Sequence, residues 1–184
     1  DSPALEISAE EAAVKVTSDY SAKLIVIVCY GLQPSASTQN MTAAGETARI
    51  IKSISPNAKI LMTGTHPSAL PEQTMLEEAV DFVCDSEGPK TILNTLEAIN
   101  SNQNDFRNIP SLWSRYDDKV VAPASIEPLI ADLDNEMPGI AWDLLPMKKY
   151  RAHNWHSFDH IENRSPYAAI HTSLGCPYKC HFCC

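Results

Sequence analysis

Apolar positions along this chain follow two rhythms. Short unbroken runs at residues 23–29 (KLIVIVC), 59–62 (KILM) and 81–84 (DFVC) predict strands, and the first two read as strands buried on both faces of a sheet. Between them, apolar residues recur at spacings of three and four, the pattern of a helix with one buried face. Met41, Ala44, Ala48, Ile51 and Ile54 form such a face on a helix that starts at Thr38 and ends at Pro56-Asn57. Pro71 suits the first turn of the next helix, which continues through Met75, Leu76 and Ala79. A further helix over residues 90–100 turns Ile92, Leu93, Leu96 and Ile99 inward. Ahead of these, Ser8-Ala9-Glu10-Glu11 is a capping box and predicts a short helix to about Ser18.

Strand and helix thus alternate three times with short connections. That order predicts an α/β fold: a Rossmann-like parallel sheet with right-handed crossovers and helices on both faces. Ligands of such sheets bind at the carboxyl ends of the strands. Three loops fall there, at residues 30–37, 63–70 and 85–89, all containing Gly or Pro. Their composition fits close approach by a ligand and equally fits ordinary turns.

Beyond the third helix the pattern changes. Residues 112–116 and 119–121 predict a β-hairpin around Asp117-Asp118. Residues 123–146 carry Pro123, Pro128, Pro138 and Pro146, and read as an irregular but packed linker. Leu129, Ile130, Leu133, Trp142, Leu144 and Leu145 need burial there. The stretch 151–164 is polar. A helix would put its His153, His156 and His160 on one face, a metal-like spacing whose default reading is a polar linker surface. Residues 167–172 predict a new strand, leading through Ser173-Leu174-Gly175 into a cysteine-rich loop. The organisation expected is a Rossmann-like domain over 1–122, a linker over 123–165 and the start of a second domain at 166–184.

Charge and composition narrow the chemistry. A net charge of −9 over 184 residues argues against general nucleic-acid binding, which needs a basic face. The apolar run at 24–29 is too short to span a membrane, and no secretory signal is visible. A cytoplasmic protein is expected. Cys29 and Cys84 each close a strand-like run and read as buried free thiols. The other four cysteines lie at 176, 180, 183 and 184. Because the chain starts without Met and stops on this loop, we expect a fragment of a longer protein.

Three of these cysteines have the spacing C-x-x-x-C-x-x-C. Thiolates this close converge on a metal centre, and an iron–sulfur cluster is the first reading. A cube held by three thiolates keeps one iron open for a further ligand. Zinc with His181 or Cys184 as fourth ligand, or a disulfide pair, are the alternatives. Gly175 allows a sharp turn before the loop, and Phe182 offers a flat apolar surface beside it.

Cys176-x3-Cys180-x2-Cys183, with an aromatic before the last Cys and Ser-Leu-Gly before the first, resembles the signature of radical S-adenosylmethionine enzymes. The resemblance implies Cys176, Cys180 and Cys183 as ligands of a [4Fe–4S] cluster, with Phe182 near the adenine of S-adenosylmethionine. It implies reductive cleavage of that molecule to a 5′-deoxyadenosyl radical, an external electron donor of flavodoxin or ferredoxin type, and a TIM-type barrel whose first strand is 167–172. Cys184 lies outside the pattern and reads as a bystander.

A second resemblance covers the first half. Thr63-Gly64-Thr65-His66-Pro67-Ser68-Ala69-Leu70-Pro71, then Asp81-Phe82-Val83, then Glu87-Gly88 and a helix, is similar to the cobalamin-binding domain that precedes the barrel in many radical S-adenosylmethionine proteins. The linker with Leu133-Asp134, Pro138 and Trp142-Asp143-Leu144-Leu145-Pro146 is also similar to theirs. This implies cobalamin as a cofactor bound by Tyr30, Gly31, Ser35, Gly64, Thr65, His66, Glu87 and Gly88, with Gly31, Ser35, Gly64, Thr65 and Gly88 around its nucleotide tail and His66 towards the corrin. It implies a small-molecule or biosynthetic-intermediate substrate, and either methyl transfer to an unactivated carbon or a related cyclisation or rearrangement. The chain departs from the family pattern in Thr63-Gly64 for Gly-Gly, and in Ser86-Glu87-Gly88-Pro89 for Gly-Glu-Gly-Glu. It also lacks the Asp-x-His-x-x-Gly loop. A radical enzyme whose N-terminal domain no longer binds cobalamin, and a non-catalytic cobalamin or iron–sulfur module, are the alternatives.

Overall fold

The computed structural model describes residues 2–20, 22–31, 34–137, 139–170, 175, 178 and 181. Two compact units emerge. The larger is Ser8–Glu136; the smaller takes in the described residues of 1–7 and 137–184. Among the described residues no helix is long and apolar enough to cross a membrane.

Helix α1 (Ser2–Leu5) belongs to the smaller unit, and the larger unit opens with α2 (Ala9–Val14). The capping box forms as the sequence predicts: Glu11 N–H donates to Ser8 Oγ at 3.2 Å, and Ser8 N–H to Glu11 Oε2 at 2.8 Å. The helix widens into a π turn over Lys15–Asp19. Thr17 Oγ1 donates there to the carbonyls of Ala13 and Val14, which diverts those acceptors from regular α bonding.

The sheet has five strands in the order β1 (Ile25–Val28), β2 (Ile60–Thr63), β3 (Phe82–Cys84), β4 (Leu112–Tyr116), β5 (Lys119–Val121). The first three are parallel, and β4 joins antiparallel to β3. Four helices lie in the connections: α3 (Pro34–Ile54), α4 (Thr65–Ala69), α5 (Pro71–Glu77) and α6 (Pro89–Asn100). The hairpin turn is Asp117-Asp118, both at positive φ (49° and 60°), which short polar side chains tolerate and which matches strand twist.

Successive strand residues feed two cores. Ile25, Ile60, Met62 and Val83 pack with Ala44, Ala48, Ile51 and Met75 on one face. Leu61, Phe82, Cys84 and Leu112 pack with Ala98 and Ile109 on the other. Both faces are therefore covered, as expected. The start of β3 is pinned by Asp81, whose Oδ2 accepts from Lys52 Nζ at 2.7 Å and Ile60 N–H at 2.8 Å.

Several expectations need correction. Strand β1 is not buried on both faces. It lies at the sheet edge, and Val28 is 63% exposed. Helix α3 begins at Pro34, four residues before Thr38, because Pro fits a first turn. Its buried face runs Ser37, Ala44, Gly45, Ala48, Ile51, while Ile54 is exposed. Residues 65–69, read as loop, form α4. Leu76 and Leu93 point to solvent, and α6 buries Thr91, Thr95 and Ala98 instead.

The stretch expected to be a packed linker is corrected in a different way. Leu129, Leu133, Trp142, Leu144 and Leu145 are all exposed, and of the six Ile130 alone is half-buried. A short helix α7 (Leu133–Glu136) ends the larger unit. In the smaller unit, 3₁₀ turns occupy Trp142–Leu144, Met147–Lys149, Asn154–His156 and Ile161–Asn163. His153, His156 and His160 therefore share no α-helical face, and His156 stacks on Tyr167 with ring centroids 6.2 Å apart. Among the described residues, 167–170 of the expected strand are not in a ladder; residues 171 and 172, the rest of that expectation, lie outside the described residues.

Gly64 sets the sharpest local constraint. Its φ is +126°, and a Cβ there would fall 2.1 Å from the Cys29 carbonyl oxygen. Gly64→Ala is expected to destabilise the chain by about 2–3 kcal/mol, from positive-φ strain plus the clash, read as a lower urea midpoint with an unchanged slope.

Candidate functional site

The three parallel strands deliver their carboxyl ends side by side: Cys29 after β1, Gly64 after β2, Asp85 after β3. The pairing of Val28 with Thr63 brings the first two loops together, and Cys29 N–H donates to Thr63 O at 2.7 Å. Ser37, on the first turns of α3 and fully buried, closes this junction. Its hydroxyl donates to the Cys29 carbonyl and accepts His66 N–H at 2.9 Å. One residue on, Thr38 Oγ1 meets His66 Nδ1 at 2.9 Å. Asn40 Nδ2 donates to the Tyr30 carbonyl at 2.9 Å. A single helix start thus holds both the Tyr30 loop and the His66 turn.

The third loop is tied differently. Ser68 Oγ donates to the Cys84 carbonyl at 3.2 Å, linking α4 to the end of β3. Asp85 Oδ2 accepts Trp113 Nε1–H at 2.8 Å, while Asp85 Oδ1 is buried without a partner among the described residues. Gly88 adopts φ +100° and opens α6. Glu87 faces away from the other loops' bonds: its Oε2 accepts Ile130 N–H at 2.8 Å. Lys90 pairs with Glu136 nearby, and Ser111 accepts Glu127 N–H on its hydroxyl. Residues 125–136 therefore strap the third loop.

Of the residues singled out in the sequence, Tyr30, Gly31, Ser35, Gly64, Thr65, His66, Glu87 and Gly88 all lie at this one end of the sheet. Their roles differ. Space at Gly31 is taken by Ala36 and the Ser37 backbone, and space at Gly64 by Cys29, so both serve the chain's own close packing. A Cβ at Gly88 would meet only ordinary contacts. Ser35 is exposed and Thr65 half-buried, and neither hydroxyl has a partner among the described residues. Beside them, Val28, Tyr30 and Leu70 expose apolar surface, Tyr30 to 54%. Free hydroxyls next to bare apolar side chains suit a large ligand with polar and apolar parts. Cys176, Cys180, Cys183 and Phe182 lie outside the described residues, as does Cys184. Among the described residues no group of His, Cys, Asp or Glu can hold a metal ion.

Ser37, Thr38, Asn40 and Asp85 did not stand out in the sequence. Ser37 carried a signal: it precedes Met41, Ala44, Ala48 and Ile51 at the same spacing of four and three, so a hydroxyl sits on an apolar face.

Cys29 and Cys84 are both buried free thiols, as expected. Burial first, and the Glu78 carboxylate second, push the Cys29 thiol up from 9.0 to about 11. A raised pKa stabilises the fold while the thiol is protonated. That contribution is complete below pH 9 and is lost as pH rises towards 11. Cys29→Ala should therefore flatten the fall of stability between those pH values, measured by urea unfolding across the range. Ser37→Ala leaves the Cys29 carbonyl and His66 N–H without their shared partner. A loss of about 2–4 kcal/mol is expected by the same measurement, with Ser37→Thr restoring part of it.

The comparisons with known proteins agree with this geometry. Residues 4–96 match the B12 binding domain family. The chain is 33% identical over 150 residues to an uncharacterised methyltransferase of Pyrococcus horikoshii, covering 81% of this chain and 30% of that protein. It is 26% identical over 153 residues to the anaerobic magnesium-protoporphyrin IX monomethyl ester cyclase of Cereibacter sphaeroides, covering 81% of this chain and 23% of that one. The chain thus spans under a third of either relative. Its fold resembles the radical S-adenosylmethionine methyltransferase TsrM of Kitasatospora setae, solved with tryptophan and a S-adenosylmethionine analogue, with a TM-score of 0.53 at 14% identity over 62% of this chain and 21% of that one. With residues 4–96, half of its length, matched by the family, the chain belongs to the B12-binding domain family.

Proposed function

We propose that this chain is the cobalamin-binding part of a cobalamin-dependent radical S-adenosylmethionine enzyme. The whole protein, in the cytoplasm, transfers a methyl group to an unactivated carbon of a small molecule, or performs a related radical cyclisation or rearrangement. One observation carries the reading: free hydroxyls and bare apolar side chains share the carboxyl end of the parallel sheet in a chain of the B12-binding family. The names of two relatives, a methyltransferase and a cyclase, support the reaction class.

In this reading Ser35 and Thr65 hydrogen-bond the polar tail of cobalamin, and Val28, Tyr30 and Leu70 cover its apolar surface. Ser37 and Thr38 fix His66 beside them. Gly88 lets the third loop approach without a side chain in the way. Cobalamin, when bound, supplies methyl-transfer chemistry, and a [4Fe–4S] cluster supplies the electron that cleaves S-adenosylmethionine. Residues 166–184 open the radical domain, with Cys176, Cys180 and Cys183 holding the cluster and Phe182 against the adenine. A flavodoxin- or ferredoxin-type protein delivers the electron.

The test uses the full-length protein. Anaerobic reconstitution with iron and sulfide, then reduction with S-adenosylmethionine, should release 5′-deoxyadenosine, and Cys180→Ala should abolish release. Corrin absorption should co-purify from cells supplied with the vitamin, and Thr65→Val should lower its yield. Release that survives Cys180→Ala would refute the cluster assignment. Protein that never carries corrin would refute the cobalamin reading.

A further inference from the structure

A cleft of about 340 Å³ lies at the amino ends of the same strands, remote from the three loops. Lys59 precedes β2, Asp81 precedes β3, and Arg115 comes from antiparallel β4. Gln103 and Asn104, just past α6, complete the polar rim, while Ile99 and Phe106 give it an apolar wall. The volume lies in the range of small-molecule sites.

Its charges do not cancel. Asp81 is shared by Lys52 at 2.7 Å, the Ile60 N–H at 2.8 Å and Lys59 at 3.5 Å. Lys52 and Lys59 thus share one carboxylate, and Arg115 lines the same cleft, a local excess of positive charge in a chain of net charge −9. The cations also keep spare donors. Among the described residues Lys59 makes only its long contact to Asp81, and Arg115 gives one N–H to the Met75 carbonyl. A guanidinium has five N–H donors in a planar fork suited to a carboxylate. The Gln103 and Asn104 side chains bond nothing among the described residues. Phe106 is held in place by Phe82, with ring centroids 4.7 Å apart.

We propose that this cleft binds a small aromatic carboxylate, with its carboxylate between Lys59 and Arg115 and its ring against Phe106. A bare inorganic anion leaves the apolar wall unused, and a neutral aromatic leaves the cations unmatched.

The 184-residue chain, labelled with ¹⁵N, is titrated with benzoate, benzyl alcohol and inorganic phosphate in turn. Benzoate should shift the backbone amides of Gln103, Asn104 and Phe106 saturably, with the other two probes at least about tenfold weaker. Lys59→Gln and Arg115→Gln should each weaken benzoate by about tenfold without moving the urea midpoint. Because Arg115 also anchors the Met75 carbonyl, Lys59→Gln decides the matter if Arg115→Gln unfolds the chain. Shifts that are absent or do not saturate, equal binding of benzyl alcohol or phosphate, or unchanged affinity in Lys59→Gln would each overturn the proposal.

Discussion

The carbonyl of Cys29 takes a hydroxyl from Ser37 on one side and lies against Gly64 on the other. The N–H of Cys29 donates to the Thr63 carbonyl. Two strands, the start of the long helix and the turn into α4 therefore meet on one residue. A buried carbonyl without a partner is costly, so the hydroxyl at 37 and the missing side chain at 64 are set together. The candidate cofactor end inherits its shape from this junction: His66 is held by the same hydroxyl, and Tyr30 follows directly in the chain.

Much of this was readable beforehand because the relevant signals are local. The capping box at Ser8 and the Asp-Asp hairpin turn each rest on contacts within a few residues, and the buried strand over Ile60–Thr63 announces itself by an unbroken apolar run. The parallel order followed from alternation alone, and the eight residues picked from three loops do share one end of the sheet. The family match spans residues 4–96, which include the motif around Gly64 and His66.

What was not readable depends on partners distant in sequence. An apolar run cannot announce that it lies at a sheet edge, so β1 was read as buried. Periodicity alone gave Leu93 and Leu76 to the core, but the helices bury threonines and alanine where the sheet lies close. Thr91 and Thr95 manage this by bonding the Pro110 and Thr91 carbonyls, an arrangement no hydropathy pattern reveals. Glu87 looked like a ligand contact because of its motif; its carboxylate instead accepts a peptide N–H from a residue 43 positions away.

That last contact sets an order of assembly. The junction at Cys29 needs only residues from 28 to 66, so it can close as soon as two strands and one helix are in place. The third loop cannot. Asp85 needs Ser111 and Trp113, and Glu87 needs Ile130, so its final form waits for the hairpin and for the segment that follows it. The two sides of one binding end thus mature at different stages of folding, the first by short-range closure and the other by long-range closure. Gly88 takes its final position only once the chain has folded well past α6, as far as Ile130.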